Sequence, residues 1–114
     1  FYKGNLRNGD VLESEASIVV IGDVEKGARV AAKGNVIILG SLKGSVFAGI
    51  TGNLNAVVVA FEMAPTQIKI SDLSFQKAGK GRLLSRGPMM VLVENGRICE
   101  EPIKKSFLNA LNFI

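Results

Sequence analysis

A chain of 114 residues suffices for one domain with one hydrophobic core. Its 14 Lys and Arg face 10 Asp and Glu, a formal charge of +4 with the signs interspersed, so the surface is expected to be mildly basic with no nucleic-acid partner. Histidine and tryptophan are absent and Cys99 is the sole cysteine, which excludes a serine–histidine pair, an internal disulfide and a cysteine-based metal site within one chain.

The first segment already shows the organising feature. Gly4-Asn5-Leu6-Arg7-Asn8-Gly9-Asp10 is answered 18 residues later by Gly22-Asp23-Val24-Glu25-Lys26-Gly27-Ala28, and Gly40 continues the series. Gly34 with Gly52 and Asn35 with Asn53 keep the same spacing. The unit is too short for two helices or a propeller blade, and suits one coil of a small solenoid. Within the units lie short runs rich in β-branched residues: Ile18-Val19-Val20-Ile21, Val36-Ile37-Ile38-Leu39 and Val57-Val58-Val59. Such runs read as strands. Glycine, asparagine and aspartate separate them where the chain must turn. Three short strands and three corners per coil predict an all-β, triangular β-helix with parallel sheets on three faces.

Alternation along the strands puts Ile18, Val20, Val36 and Ile38 inside. The opposite set, Val19, Ile21, Ile37 and Leu39, then faces outward and is also apolar. No helix fits within the unit to cover it, so a second copy of the chain is the expected cover and these four residues the expected dimer interface.

The third unit is less regular. Its corner Gly40-Ser41-Leu42-Lys43-Gly44 is shorter than its predecessors, and a small insertion precedes the run ending at Val59. Ile68-Lys69-Ile70 adds a strand. Residues 74–88 break the pattern and carry the densest basic cluster, Lys77, Lys80, Arg82 and Arg86, which reads as a solvated loop crossing the end of the prism. Residues 89–93 and 96–98 resume as two strands around Asn95-Gly96, a strong turn signal. After Pro102 the apolar spacing becomes helical at Ile103, Phe107, Leu108, Leu111 and Ile114, so the chain divides into a β-helical part, 1–103, and an apolar tail, 104–114, expected to be helical.

No catalytic constellation emerges, and no cofactor or metal is implied. Asp10, Asp23 and Asp72 lie near turn signals and are read as corner residues bonding backbone amides. An enzyme on a β-helix would need an acid–base pair beside a groove, and none is apparent. No apolar run approaches the roughly 18 residues that span a bilayer. The chain begins at Phe1 with no signal-like segment, so a fragment or processed product is expected. What remains is surface. The corner Arg7-Asn8-Gly9-Asp10 sets a charged pair around a glycine near one end, where Arg7 is able to offer a forked bond to a carboxylate.

These stretches carry a family resemblance. The runs 4–9, 21–28, 32–44 and 47–49, with Leu92-Val93-Glu94-Asn95-Gly96-Arg97-Ile98 and Glu101-Pro102-Ile103, resemble the C-terminal domain of the bacterial cell-division inhibitor MinC over about residues 3–103. The resemblance implies a right-handed triangular β-helix that forms a homodimer through an apolar face and binds the ATPase MinD. It implies a cytoplasmic, non-enzymatic module, recruited by MinD to the inner face of the cell membrane. The family's FtsZ-disrupting N-terminal domain has no counterpart in this chain, and the β-helical domain together with MinD engages the FtsZ tail. Family members usually carry Arg-Ser-Gly-Gln at the MinD-contacting corner. This chain keeps Arg7 and Gly9 but has Asn8 and Asp10, which adds a charge and removes an amide donor.

Overall fold

The computed structural model describes residues 1–75 and 87–103. In chain order the strands are β1 (Tyr2–Lys3), β2 (Val11–Ser14), β3 (Ile18–Ile21), β4 (Arg29–Ala32), β5 (Val36–Leu42), β6 (Ser45–Ala48), β7 (Val58–Met63), β8 (Gln67–Ile70), β9 (Leu73–Phe75), β10 (Met89–Glu94) and β11 (Arg97–Pro102). They form two sheets: six strands in the order β1-β3-β5-β7-β10-β11, and five in the order β2-β4-β6-β8-β9. From β1 to β8 alternate strands enter alternate sheets, so the chain winds as a β-solenoid. The third face is narrow. There Leu6, Val24 and Leu42 stack through single-residue parallel bridges, and Met63 follows Leu42.

The register explains the repeat. Tyr2 pairs with Val20, Val20 with Ile38, and Val11 with Arg29, each an 18-residue step. Ile18, Val20, Val36 and Ile38 lie inside, as expected. Rows of like residues cross the interior: Ile18, Val36, Val58 and Val91 in one sheet, and Val30, Val46 and Ile68 in the other. These side chains are almost entirely removed from water, and each full burial of a valine or isoleucine is worth about 1.5–3 kcal/mol. No buried polar or charged residue interrupts this core among the described residues.

Close stacking needs the glycine column. A Cβ on Gly22 would lie 2.3 Å from the Gly4 carbonyl oxygen, and one on Gly40 would lie 2.3 Å from that of Gly22. Polar corner residues bind successive coils. Asn5 Oδ1 accepts the Asp23 amide at 2.9 Å, and Asp23 Oδ1 accepts the Ser41 amide at 2.8 Å. On a second corner Ser17 Oγ accepts the Asn35 amide, and Asn35 Oδ1 accepts that of Val57, both at 2.9 Å.

The spacing misleads at one place. Gly34 and Gly52, and Asn35 and Asn53, do not stack. Val36 pairs with Val58, four residues beyond an 18-residue step, because the turn after Gly49 is longer than its predecessors. Two strands also reverse direction. β9 returns antiparallel to β8, and β10 runs antiparallel to both β7 and β11. The β10–β11 hairpin turns at Asn95 and Gly96, with φ of 52° and 77°, the pattern of a type I′ turn anticipated from Asn-Gly. Ser74 and Phe75, read as the start of a loop, belong to β9, where Phe75 pairs with Ile68. The basic cluster at 77–86 and the expected helix at 104–114 lie outside the described residues.

Candidate functional site

Two surfaces collect the residues singled out above. The first is the corner Arg7-Asn8-Gly9-Asp10 on the first coil, all four exposed. It is a tight turn: the Asp10 amide donates to the Arg7 carbonyl at 2.8 Å. Gly9 takes φ of 94°, in the region a side chain rarely adopts, so glycine at the third position sets the turn's course. The Asp10 carboxylate folds back and accepts the Arg7 amide through Oδ2 at 2.7 Å. The turn is anchored to the coil beneath, with the Gly9 amide bonded to the Gly27 carbonyl and the Arg29 amide to the Asp10 carbonyl, both at 3.0 Å. Asn8 lies over Gly27, so close that a Cβ there would overlap its side-chain amide. The backbone is therefore held from three sides while the Arg7 side chain projects from it. Two of the three expected corner carboxylates, Asp10 and Asp23, bond backbone amides as anticipated.

The second surface is the outer face of the six-stranded sheet. Val19, Ile21, Ile37 and Leu39, the expected outward set, are not equally open. Ile21 and Leu39 are 38% and 37% exposed, Val19 is half-buried, and Ile37 is only 5% exposed. Ile37 pairs with Val19 and Val59, and Val59 pairs with Met90. Ile37, Val59 and Met90 form a compact outer cluster with Val19, Val57, Leu92 and Ile103 against it. The hairpin that extends the sheet supplies Met90 and Leu92, which a single 18-residue unit could not reveal. The open part of this face is instead the stripe of Ile21, Leu39 and Phe61, the last 49% exposed. Phe61 was missed by sequence reasoning. Its place one residue after the β7 position that pairs with Ile38 marks it as the outward continuation of Leu39.

Chemistry-bearing groups are sparse. Among the described residues, the Glu94 and Glu101 carboxylates and the Cys99 thiol have ligand atoms within 4.8 Å of one another. The Cys99 thiol donates to Glu94 at 3.8 Å. Burial, followed by the negative charges of Glu94 and Glu101, pushes its pKa up, which favours the thiol over the nucleophilic thiolate. No helix among the described residues is long and apolar enough to cross a membrane.

Comparison with known proteins gives these surfaces a context. The family described as septum formation inhibitor MinC, C-terminal domain, matches residues 1–103. The probable septum site-determining protein MinC of Agathobacter rectalis is 40% identical over 121 aligned residues, covering 97% of this chain and 50% of the relative. Its counterpart in Lachnospira eligens is 45% identical over 121 residues, covering 98% and 49%. The chain thus spans about half the length of the curated relatives it matches. A solved structure, the MinC:MinD cell division protein complex of Aquifex aeolicus, contains a chain that superposes with a TM-score of 0.77 at 33% identity, covering 99% of this chain and 93% of that one. The fold, the repeat and these matches agree: the chain belongs to the MinC C-terminal domain family of septum formation inhibitors, a family of non-catalytic division-inhibitor domains.

Proposed function

We propose that this chain is the dimerisation and MinD-binding module of a cell-division inhibitor that prevents FtsZ ring assembly at incorrect sites. The observation that carries the reading is the likeness to a chain solved within a MinC:MinD complex, taken with the pinned and exposed Arg7–Asp10 turn. A recruiting module needs a well-held recognition turn rather than a cleft, and this turn is tied down by hydrogen bonds within itself and to the next coil. Arg7 supplies a directional charge to the ATPase. Gly9 shapes the turn and lets the partner's backbone approach. Asn8 and Asp10 set that shape more than they contact the partner, because Asn8 rests on Gly27 and Asp10 holds the Arg7 amide.

The apolar stripe of the outer sheet face is the proposed two-fold interface, with Ile21 and Leu39 at its open part and Val19 and Ile37 supporting them. MinD brings the dimer to the inner face of the membrane, and contact with the FtsZ tail is made there. The wild-type domain and Arg7→Ala are to be compared in co-sedimentation with MinD, ATP and lipid vesicles. The reading expects ATP-dependent pelleting of the wild type and loss of most of it with Arg7→Ala at unchanged melting temperature. Equal pelleting of the two would remove Arg7 from the site.

A further inference from the structure

The corner of the third coil is two residues shorter than that of the second. Val24 stacks on Leu42, yet Arg29 already pairs with Ser45, so Lys43 and Gly44 cross where Glu25, Lys26, Gly27 and Ala28 cross one coil earlier. The longer turn overhangs the shorter. A Cβ on Gly44 would meet the Ala28 carbonyl oxygen at 2.5 Å and that of Glu25 at 2.6 Å. Beside this overhang lies an open notch of about 290 Å³, walled by Gly27, Arg29, Ser45, Phe47 and Gln67.

The notch adjoins the recognition turn. Its rim at Gly27 carries the bond from the Gly9 amide, and its wall at Arg29 is bonded to the Asp10 carbonyl. A body seated on the Arg7 turn therefore meets the notch one coil down. The Arg29 guanidinium lies over the Phe47 ring, 4.7 Å from its centroid. Stacking holds the planar fork in place at little further entropic cost. Arg29 takes part in no ion pair among the described residues. Around it, the successive corners present Arg7, Lys26 and Lys43 against the half-buried Glu25, while the nearby Asp10 carboxylate is turned onto its own backbone. The residues lining the notch include Arg29, Ser45 and Gln67, whose side chains carry N–H and O–H donors, a set that suits a carboxylate.

We propose that this notch is a second anchor for MinD, receiving an aspartate or glutamate side chain of the ATPase against the stacked Arg29. The proposal rests on the MinD-binding reading above and names the chemistry that reading lacks. Binding to MinD, with ATP and vesicles, is to be measured for the wild type, Arg7→Ala, Arg29→Glu, Arg29→Gln and Arg97→Glu, the last making the same charge change on the distant hairpin. Charge reversal at Arg29 is expected to weaken binding by about tenfold or more and Arg29→Gln by less, with Arg97→Glu close to wild type. Should Arg29→Glu fail to fold, Arg29→Gln alone decides. If Arg7→Ala weakens binding while both Arg29 variants match the wild type, the notch has no part and only the corner stands. Equal weakening by Arg97→Glu would reduce the effect to bulk charge and overturn the proposal. Absent binding by the wild type would remove the functional reading and the notch with it, whereas an Arg7→Ala variant that binds unchanged would remove Arg7 from the site and leave the Arg29 variants to decide the notch.

Discussion

The Asp23 amide donates to Asn5 Oδ1 at 2.9 Å, and the Asp23 carboxylate in turn accepts the Ser41 amide at 2.8 Å, so one residue is both guest and host between coils. A solenoid corner cannot continue its sheet ladder through the bend, and the side chain supplies the acceptor the amide lacks. Asp23→Ala leaves the part-buried Ser41 amide without this acceptor and is expected to destabilise the domain by about 1–3 kcal/mol. Asp23→Asn keeps the acceptor and is expected to lose less than half as much. Urea midpoints of the two variants at equal slope check the difference; equal losses would show that charge, not the bond, matters at this corner.

The glycine column makes a sharper claim. Gly22→Ala brings a Cβ to 2.3 Å from backbone oxygen, which cannot rotate away, and it does so at φ of 151°. Overpacking of this kind costs about 1–3 kcal/mol, with the backbone strain added. Gly52→Ala meets no atom within 4 Å and carries only the conformational part at φ of 103°, about 1–2 kcal/mol. Thermal melts are expected to rank Gly22→Ala below Gly52→Ala, and the reverse order would contradict the stacked contact between Gly4 and Gly22.

Much of this architecture was legible because a solenoid repeats its constraints. Gly22 and Gly40 must each admit the backbone of the preceding coil, and the pairs Ile18–Val36 and Val20–Ile38 must each fill an interior row, so the period shows through single residues. What was not legible lies where the repeat stops. The pairing of Gly34 with Gly52 is a coincidence of spacing, since the longer turn after Gly49 shifts the true partner of Val36 to Val58. The covering of Ile37 depends on Met90, more than 50 residues away and delivered by a strand that runs backwards. The Arg7–Asp10 corner was recognisable from its arginine and glycine, but the Asp10 carboxylate's bond to its own turn was not, because an exposed acid reads equally as a partner contact.

The division of the outer face predicts two different failures. Leu39→Asp places a charge in the open stripe of Ile21, Leu39 and Phe61, where a monomer tolerates it in water and a dimer does not. Sedimentation is expected to give a folded monomer. Ile37→Asp puts the charge into the Ile37, Val59 and Met90 cluster and is expected to destabilise the monomer itself, with a melting transition lowered well below that of Leu39→Asp. An unchanged dimer with Leu39→Asp would move the interface off this stripe.

Cys99 provides a check on the hairpin's local field. Its thiol pKa is raised by burial and by the neighbouring Glu94 and Glu101, so at any given pH less thiolate is present than for a free cysteine. Alkylation by iodoacetamide in mildly alkaline buffer is expected to be slower than for an unfolded control. Glu94→Gln removes one negative neighbour while keeping an oxygen that accepts from the thiol, and is expected to speed the reaction. A rate unchanged by Glu94→Gln would leave burial and Glu101 as the causes.

Asp10 separates the architecture of the proposed recognition turn from its chemistry. Its Oδ2 accepts the Arg7 amide at 2.7 Å, a task that a neutral side chain of the same length also performs. Asp10→Asn is therefore expected to keep both stability and MinD binding within about twofold, a difference of well under 1 kcal/mol. Asp10→Ala removes the acceptor; the turn then loosens around Arg7, and MinD binding is expected to fall even though no partner contact has been deleted. Asp10→Gln introduces the residue usual in the family, with one more methylene and an amide donor. Binding tighter than the parent's would mean that the glutamine contact is latent in this partner. Binding lost with Gln but kept with Asn would mean that side-chain length at this turn is the constraint. Loss with Asn as well would show that the carboxylate's charge itself faces the ATPase, and would overturn the assignment of Asp10 to the turn.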